Sequence, residues 1–317
     1  MTPTWSRRRV SWRLQLGEFI LAAPQRDMAV LDPPLATLLA GGLDAIPAPP
    51  DGDCLIRSLP VGDTPPPRLA WERGRIRYWA ARFPRHYVIL EGDFQDYLAG
   101  FSPKSRATLR RKVRRFRDHG QGDIRWRICA KPDEMAEFHR QARGLSALTY
   151  QERLLDAGLP GDDGFLRTLE DQARVGDVRG CLLYDGAQPI AYLLTPRVAG
   201  AWLYQHLGYD PAASRWSPGT VLQYLVLEAL FEEGQGGWFD FTEGEGAHKR
   251  FFATHALDCG NLFLLRPTPA NLLLVAAHVA LEGLSRSLVA VLDRLGLKAR
   301  LKRLFRGQER CNSRNSP

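Results

Sequence analysis

The stretch from residue 179 to residue 233 constrains this chain more than any other: strand-like runs between tight turns, then a Ser-Pro-Gly-Thr step into an apolar helix. Residues 179–184 and 189–197 read as two strands of a hairpin around Asp185-Gly186-Ala187-Gln188. Residues 201–208 read as the next strand, entered through Ala199-Gly200. The helix predicted from Pro218 to about Glu233 starts at Ser217, Pro218, Gly219 and Thr220 and stops at Gly236-Gly237. A helix start leaves several N–H groups unpaired and carries about half a positive charge. It therefore binds phosphate without a charged side chain. Gly219 lets the backbone approach an anion, and Ser217 and Thr220 add hydroxyl donors. An ordinary capped helix carries the same letters, so this turn alone leaves both readings open.

The rest of the chain supplies a frame. The first 95 or so residues are rich in proline (Pro33-Pro34, Pro47, Pro49-Pro50, Pro65-Pro66-Pro67), with strand-like runs at 12–22, 54–59 and 86–90 and a short helix at 35–43. Ser102-Pro103 opens a helix that should run to about Asp118. A strand is expected at 124–130, helices at 133–142 and 163–175, and a helix or loop at 146–155. Beyond the Ser-Pro-Gly-Thr helix come a short buried strand at 238–241, a polar loop at 242–249, a short helix at 250–256 and a last strand at 261–265. The expected division is an irregular α+β domain over 1–100, a mixed α/β domain over 101–268, an amphipathic helix over 269–306 and a basic disordered tail over 307–317. That helix has apolar residues at 273, 277, 280, 284, 288, 291 and 295.

Composition excludes several classes. With 317 residues and 44% apolar content, the chain can bury a real core. Its five cysteines (Cys54, Cys129, Cys181, Cys259, Cys311) form no C-x-x-C pair, so neither a disulfide framework nor a zinc site is expected, and a reducing, cytoplasmic setting fits. Arg13, Gln15 and Glu18 interrupt the N-terminus where a secretory signal needs an apolar run. The net charge of +8 is local: residues 102–117 hold eight cations and no acid, and without them acids and bases are equal in number. Arg106/Arg110, Arg110/Arg114 and Arg111/Arg115 are like-charged neighbours on one helix, each pair unfavourable by about 0.2–0.5 kcal/mol. Leu109, Val113 and Phe116 form its apolar stripe, so the basic face either binds an anion, with Arg106 and Arg110 as candidates, or is simply solvated.

Four stretches together resemble a known family: Phe101-Ser-Pro-Lys-Ser-Arg-Ala-Thr-Leu-Arg-Arg, Ser146-Ala-Leu-Thr-Tyr-Gln-Glu-Arg, Ser217-Pro-Gly-Thr, and Trp238-Phe-Asp-Phe-Thr-Glu-Gly-Glu-Gly-Ala-His-Lys-Arg-Phe-Phe. In this order they resemble the acetyltransferase superfamily related to Gcn5, the GNAT fold. They resemble more closely its polysaccharide-biosynthesis branch, which is similar to the Fem-type aminoacyltransferases. The resemblance implies a mixed, mostly antiparallel sheet flanked by helices, with residues 1–100 a reduced or divergent copy of that fold or an acceptor-binding module. It implies transfer of an acyl group from acetyl-CoA or another acyl-CoA to an amine or hydroxyl of a sugar, glycan precursor or amino acid, with no metal. Ser217, Gly219, Thr220 and Val221 would hold the donor. The chain lacks the superfamily's Arg/Gln-x-x-Gly-x-Gly loop, so aminoacyl-tRNA stays open as donor beside acyl-CoA.

Acyl transfer needs a base, a held oxyanion and a proton for the leaving group. Base candidates gather after the short strand: Asp240, Glu243, Glu245 and His248, with Glu243 first. Lys249 matches the family's lysine, which the resemblance places near the reacting group. Tyr204 and His206 alternate along one expected strand, where Tyr204 would protonate a leaving thiolate and His206 and His248 would contact substrate. No cysteine or serine stands in a nucleophile motif, so direct transfer in a ternary complex is expected. Two other readings remain: a tRNA-dependent transferase, with RNA on the basic helix, and a non-catalytic basic scaffold. The basic C-terminal end, Lys298 to Arg306, also suits peripheral contact with an anionic membrane.

Overall fold

The computed structural model describes residues 3–17, 19–41, 46–62, 64–149, 158–244 and 246–294. Its strands are β1 (Ser6–Ser11), β2 (Leu14–Leu16), β3 (Phe19–Ala22), β4 (Gln25–Leu31), β5 (Cys54–Pro60), β6 (Leu69–Glu72), β7 (Arg75–Ile89), β8 (Trp126–Cys129), β9 (Val178–Asp185), β10 (Gln188–Val198), β11 (Ala201–Leu203), β12 (His206–Tyr209), β13 (Trp238–Asp240) and β14 (His255–Leu265). The helices are α1 (Leu35–Gly41), α2 (Phe94–Ala99), α3 (Pro103–His119), α4 (Pro132–Ala147), α5 (Asp163–Arg174), α6 (Pro218–Glu232), α7 (Ala247–Phe252) and α8 (Pro269–Arg294).

One mixed, mostly antiparallel sheet runs in the order β1-β4-β5-β14-β7-β13-β11-β10-β9-β8, with β12 also on β10 and β6 also on β7. The sheet crosses residue 100 without a break. β7 lies between β14 and β13, so the proline-rich N-terminal strands and the C-terminal strands form one surface. The short strand expected at 86–90 is the end of this 15-residue β7. β14 begins at His255 rather than near 261, because its first residues pair with Tyr87 and His86; the preceding helix accordingly ends at Phe252.

The expected single strand over 201–208 is two. β11 pairs in parallel with β13, and β12 pairs with β10. The strands part because β13 is only three residues long; Thr242 then turns the chain away with φ 60°, a rare conformation for a β-branched residue. β12 thus has β10 on one edge and no strand on the other among the described residues.

The two sheet faces carry separate cores. α6, α2 and α3 cover one face with Val221, Leu222, Val226, Leu230, Leu109 and Phe94 against Val88, Leu193, Trp202, Phe239 and Phe241. α4 and α5 cover the other with Met135, Phe138, Leu145 and Leu169 against Leu182, Tyr192 and Leu194. The stripe Leu109, Val113 and Phe116 of α3 is buried as its spacing predicts. α8 packs Val275 on the N-terminal core and leaves Leu272, Leu273, Leu284 and Leu288 exposed. No helix of the described residues is long and apolar enough to cross a membrane. The four described cysteines are free and buried; Cys311, Glu245, residues 150–157 and the expected basic tail lie outside the described residues.

Candidate active site

A cavity of about 760 Å³ opens where α6 starts beneath β12. Lys112 from α3, Thr149, Tyr204, Gly219 and Thr220, Gln223 and His248 line it. It lies beside the split between β11 and β12, so the fold itself makes the opening.

The turn into α6 is built from Asp210 onward. The Asp210 carboxylate accepts from the amide of Ala212 at 2.9 Å and starts a 3₁₀ turn over Pro211–Trp216. Ser217 then adopts the left-handed conformation, φ 55° and ψ 48°, at a cost of order 1–3 kcal/mol. Its hydroxyl makes no capping bond to α6; instead its carbonyl accepts from Thr220 at 2.9 Å and Val221 at 3.1 Å. Pro218 has no N–H, and the Gly219 amide has no backbone acceptor outside the helix's own bonds. A Cβ at Gly219 would stand 3.1 Å from the Leu207 side chain, so β12 and α6 meet closely here.

Positive charge surrounds this turn. Lys112 Nζ lies 3.3 Å from Thr220 Oγ1. Arg115 and Arg215 each hold their guanidinium carbon 5.0 Å from the Trp216 ring, on which His119 stacks at 4.1 Å. Arg106 and Arg110, the candidates on the basic helix, point elsewhere: Arg106 donates to the Ala99 carbonyl at 3.3 Å and Arg110 to Gln95 at 3.4 Å. Lys112 is the α3 cation that lines the cavity.

The alternation of strand side chains sorts the catalytic candidates onto opposite faces. Tyr204 faces the cavity, its ring 5.4 Å from His248 and 5.6 Å from Phe241. Burial pushes the Tyr204 phenol well above its ordinary value, with Tyr192 adding to the rise, so it keeps its proton. Burial, and then the neighbouring Lys249 charge, push His248 below the usual histidine range, so its ring is neutral at neutral pH. His206 does not share the face of Tyr204: the strand break turns it against Phe165 of α5, 6.3 Å between rings, and burial lowers it too.

Asp240 and Glu243 lie away from the cavity. Leu203 pairs with Asp240 across β11 and β13, and both point to the face opposite Tyr204. Asp240 is fully buried and accepts from Arg85 Nε at 3.1 and 3.2 Å and from the Thr242 amide at 2.8 Å. Glu243 lines a second cavity of about 310 Å³ with Arg57 and Arg85, where it accepts from Asn261 at 3.2 Å. Lys249 donates to the Glu243 carbonyl at 2.7 Å and so ties the loop shut; burial lowers its Nζ against the opposing pull of Asp240 and Glu243.

Sequence reasoning passed over Gln223, Thr149 and Arg85. Gln223 interrupts the apolar run Val221-Leu222 and Leu225-Val226-Leu227, which was a usable signal. Arg85 carried none, since it stands 155 residues from its partner.

Residues 103–250 match the family model for the acetyltransferase (GNAT) domain. A search of the curated proteins found no match. Among solved structures the chain is similar to FemX, at 11% identity and a TM-score of 0.49, over 86% of this chain and 90% of that one. It is similar to the C-terminal domain of a putative lysylphosphatidylglycerol synthetase from Agrobacterium fabrum, at 11% identity and 0.49, over 89% and 87%. It is also similar to L-PGS from Bacillus licheniformis, at 12% identity and 0.49, over 86% and 88%. With its mixed, mostly antiparallel sheet and flanking helices, the chain has a GNAT-like fold, and its segment from 103 to 250 is similar to the acetyltransferase (GNAT) domain.

Proposed function

We propose that this chain transfers an acyl group from an acyl-CoA thioester to an amine or hydroxyl, with donor and acceptor bound together. One observation supports the donor: the cavity joins a helix start, the Gly219 approach and Lys112 to a protonated phenol and a neutral imidazole. Phosphates suit the α6 start and its surrounding cations. The thioester then reaches Tyr204 and His248.

The chemistry follows from those two groups. His248 takes the proton from the attacking nitrogen or oxygen as its bond to the acyl carbon forms. The carbon–sulfur bond breaks, and Tyr204 gives its proton to the departing thiolate. The acceptor belongs to the sugar or glycan-precursor class in this reading, with a small amine as the simplest probe. Release of free thiol from acetyl-CoA and longer acyl-CoAs, with amino sugars as acceptors, tests the proposal. Turnover in the wild type and its loss in Tyr204→Phe support it. A chain that releases thiol from no acyl-CoA, yet acts on aminoacyl-tRNA, overturns it.

A further inference from the structure

Gln223 sits on α6 one turn beyond Thr220, about 4.5 Å further along the helix axis, and lines the same cavity. It is 2% exposed, and neither Oε1 nor Nε2 has a hydrogen-bond partner. Buried polar groups are nearly always paired, and a carboxamide with both halves unpaired destabilises the fold. A leucine, like Leu222 or Leu227 beside it, would fill the place without that penalty. The residue therefore calls for a partner from outside the chain.

The chemistry of that partner is narrow. A phosphate offers only acceptors and a hydrocarbon acyl chain offers neither donor nor acceptor. A secondary amide offers one of each, and a carboxamide matches it: Oε1 accepts the ligand's N–H, and Nε2 donates to its carbonyl. The same cavity is lined by the turn into α6, by Gln223, and by Tyr204 and His248. An acyl-CoA carries phosphates, an arm with secondary amides and a thioester, so it offers a partner for each of these groups. We propose that Gln223 is a specificity-determining residue that pairs with a secondary amide in the arm of the donor. This rests on the acyl-CoA reading above.

Calorimetric titration tests it with two probes, coenzyme A and its nucleotide diphosphate half, which keeps every phosphate and lacks the arm. Wild type and Gln223→Leu are compared, with thermal melts of both in the absence of ligand. The variant should bind the nucleotide half as wild type does and coenzyme A about tenfold more weakly, the loss of a paired polar contact. Without ligand it should melt at the same temperature or higher, because an unpaired buried amide has gone. Gln223→Met serves as a second apolar variant of similar length and should behave alike. A coenzyme A affinity unchanged in both variants overturns the proposal; a trapped water satisfying Gln223 would give that result. A marked fall in melting temperature in both also overturns it, since Gln223 is then structural. If the wild type binds neither probe, the acyl-CoA reading itself fails.

Discussion

Arg85 closes on Asp240 across the sheet, with its Nε 3.2 and 3.1 Å from the two carboxylate oxygens and the carboxylate fully buried. β7 supplies the arginine and β13 the acid, so the pair welds the N-terminal strands to the segment from 103 to 250. Removing one partner of a buried pair leaves an uncompensated charge. Asp240→Asn and Arg85→Met should each lower unfolding free energy by about 3–5 kcal/mol, whereas the apolar double replacement should recover most of that loss. Urea denaturation of the three variants measures this; equal destabilisation by the double variant and the sum of the singles would show that the two residues act separately.

Tyr204 is the proposed acid. Replacing it with Phe keeps the ring contacts with Phe239 and Phe241 and removes only the hydroxyl. Turnover should fall about 10²–10⁴-fold with coenzyme A affinity unchanged. Because burial holds the phenol above its ordinary value, wild-type turnover should not decline on the alkaline side until beyond the usual tyrosine range. Steady-state rates against pH, paired with donor titrations, separate this from a binding role.

His248 sets the acid side. Its folded pKa lies below the unfolded value of 6.5, so the unfolded chain takes up the proton first as pH falls. The stability tied to its neutral ring is therefore intact above 6.5 and declines as the pH drops below it. Activity should persist below the usual histidine midpoint and fail only at more acid pH, and His248→Gln should abolish that dependence. Proton NMR titration of the His248 ring reads the midpoint directly; a value at or above 6.5 would contradict the proposed environment.

Glu134, at the start of α4, gives the same sign at lower pH. Arg127 donates to it at 2.8 Å, and the amides of Ala130 and Lys131 donate at 2.9 and 3.0 Å. These bonds, Arg127 first, lower its carboxyl from 4.5 to about 2. The resulting stability is present above 4.5 and is lost as pH falls toward about 2. Glu134→Gln should destabilise by about 1 kcal/mol at neutral pH, as loss of a capping interaction does, and should flatten the melting curve over that acid window.

Much of the fold was legible because local chemistry set it. Ser102-Pro103 announces α3, and the Ser102 hydroxyl accepts from Ser105 as expected of a cap. The hairpin around Asp185 to Gln188 and the helix after Ser217 follow from turn residues and apolar runs. What was not legible depends on partners distant in sequence. The proline-rich start reads as a separate domain, yet β5 and β7 are sutured to β14, which lies about two hundred residues on. The break at Tyr204-Gln205 reflects the shortness of β13, so His206 turned to α5 although its spacing from Tyr204 suggests one face. Asp240 between Phe239 and Phe241 did signal its face: alternation puts it opposite the aromatic core, away from the donor turn.

The central claim is that phosphate sits on the amides at the start of α6. The backbone amide resonances of Gly219 and Thr220, followed by nitrogen-15 NMR as coenzyme A is added, test it most directly. The account predicts large downfield amide-proton shifts at Gly219, saturating with the ligand, and their loss when Gly219→Val fills the approach. Saturable binding that leaves the Gly219 amide unmoved, with shifts on the outer face of α3 instead, would contradict it.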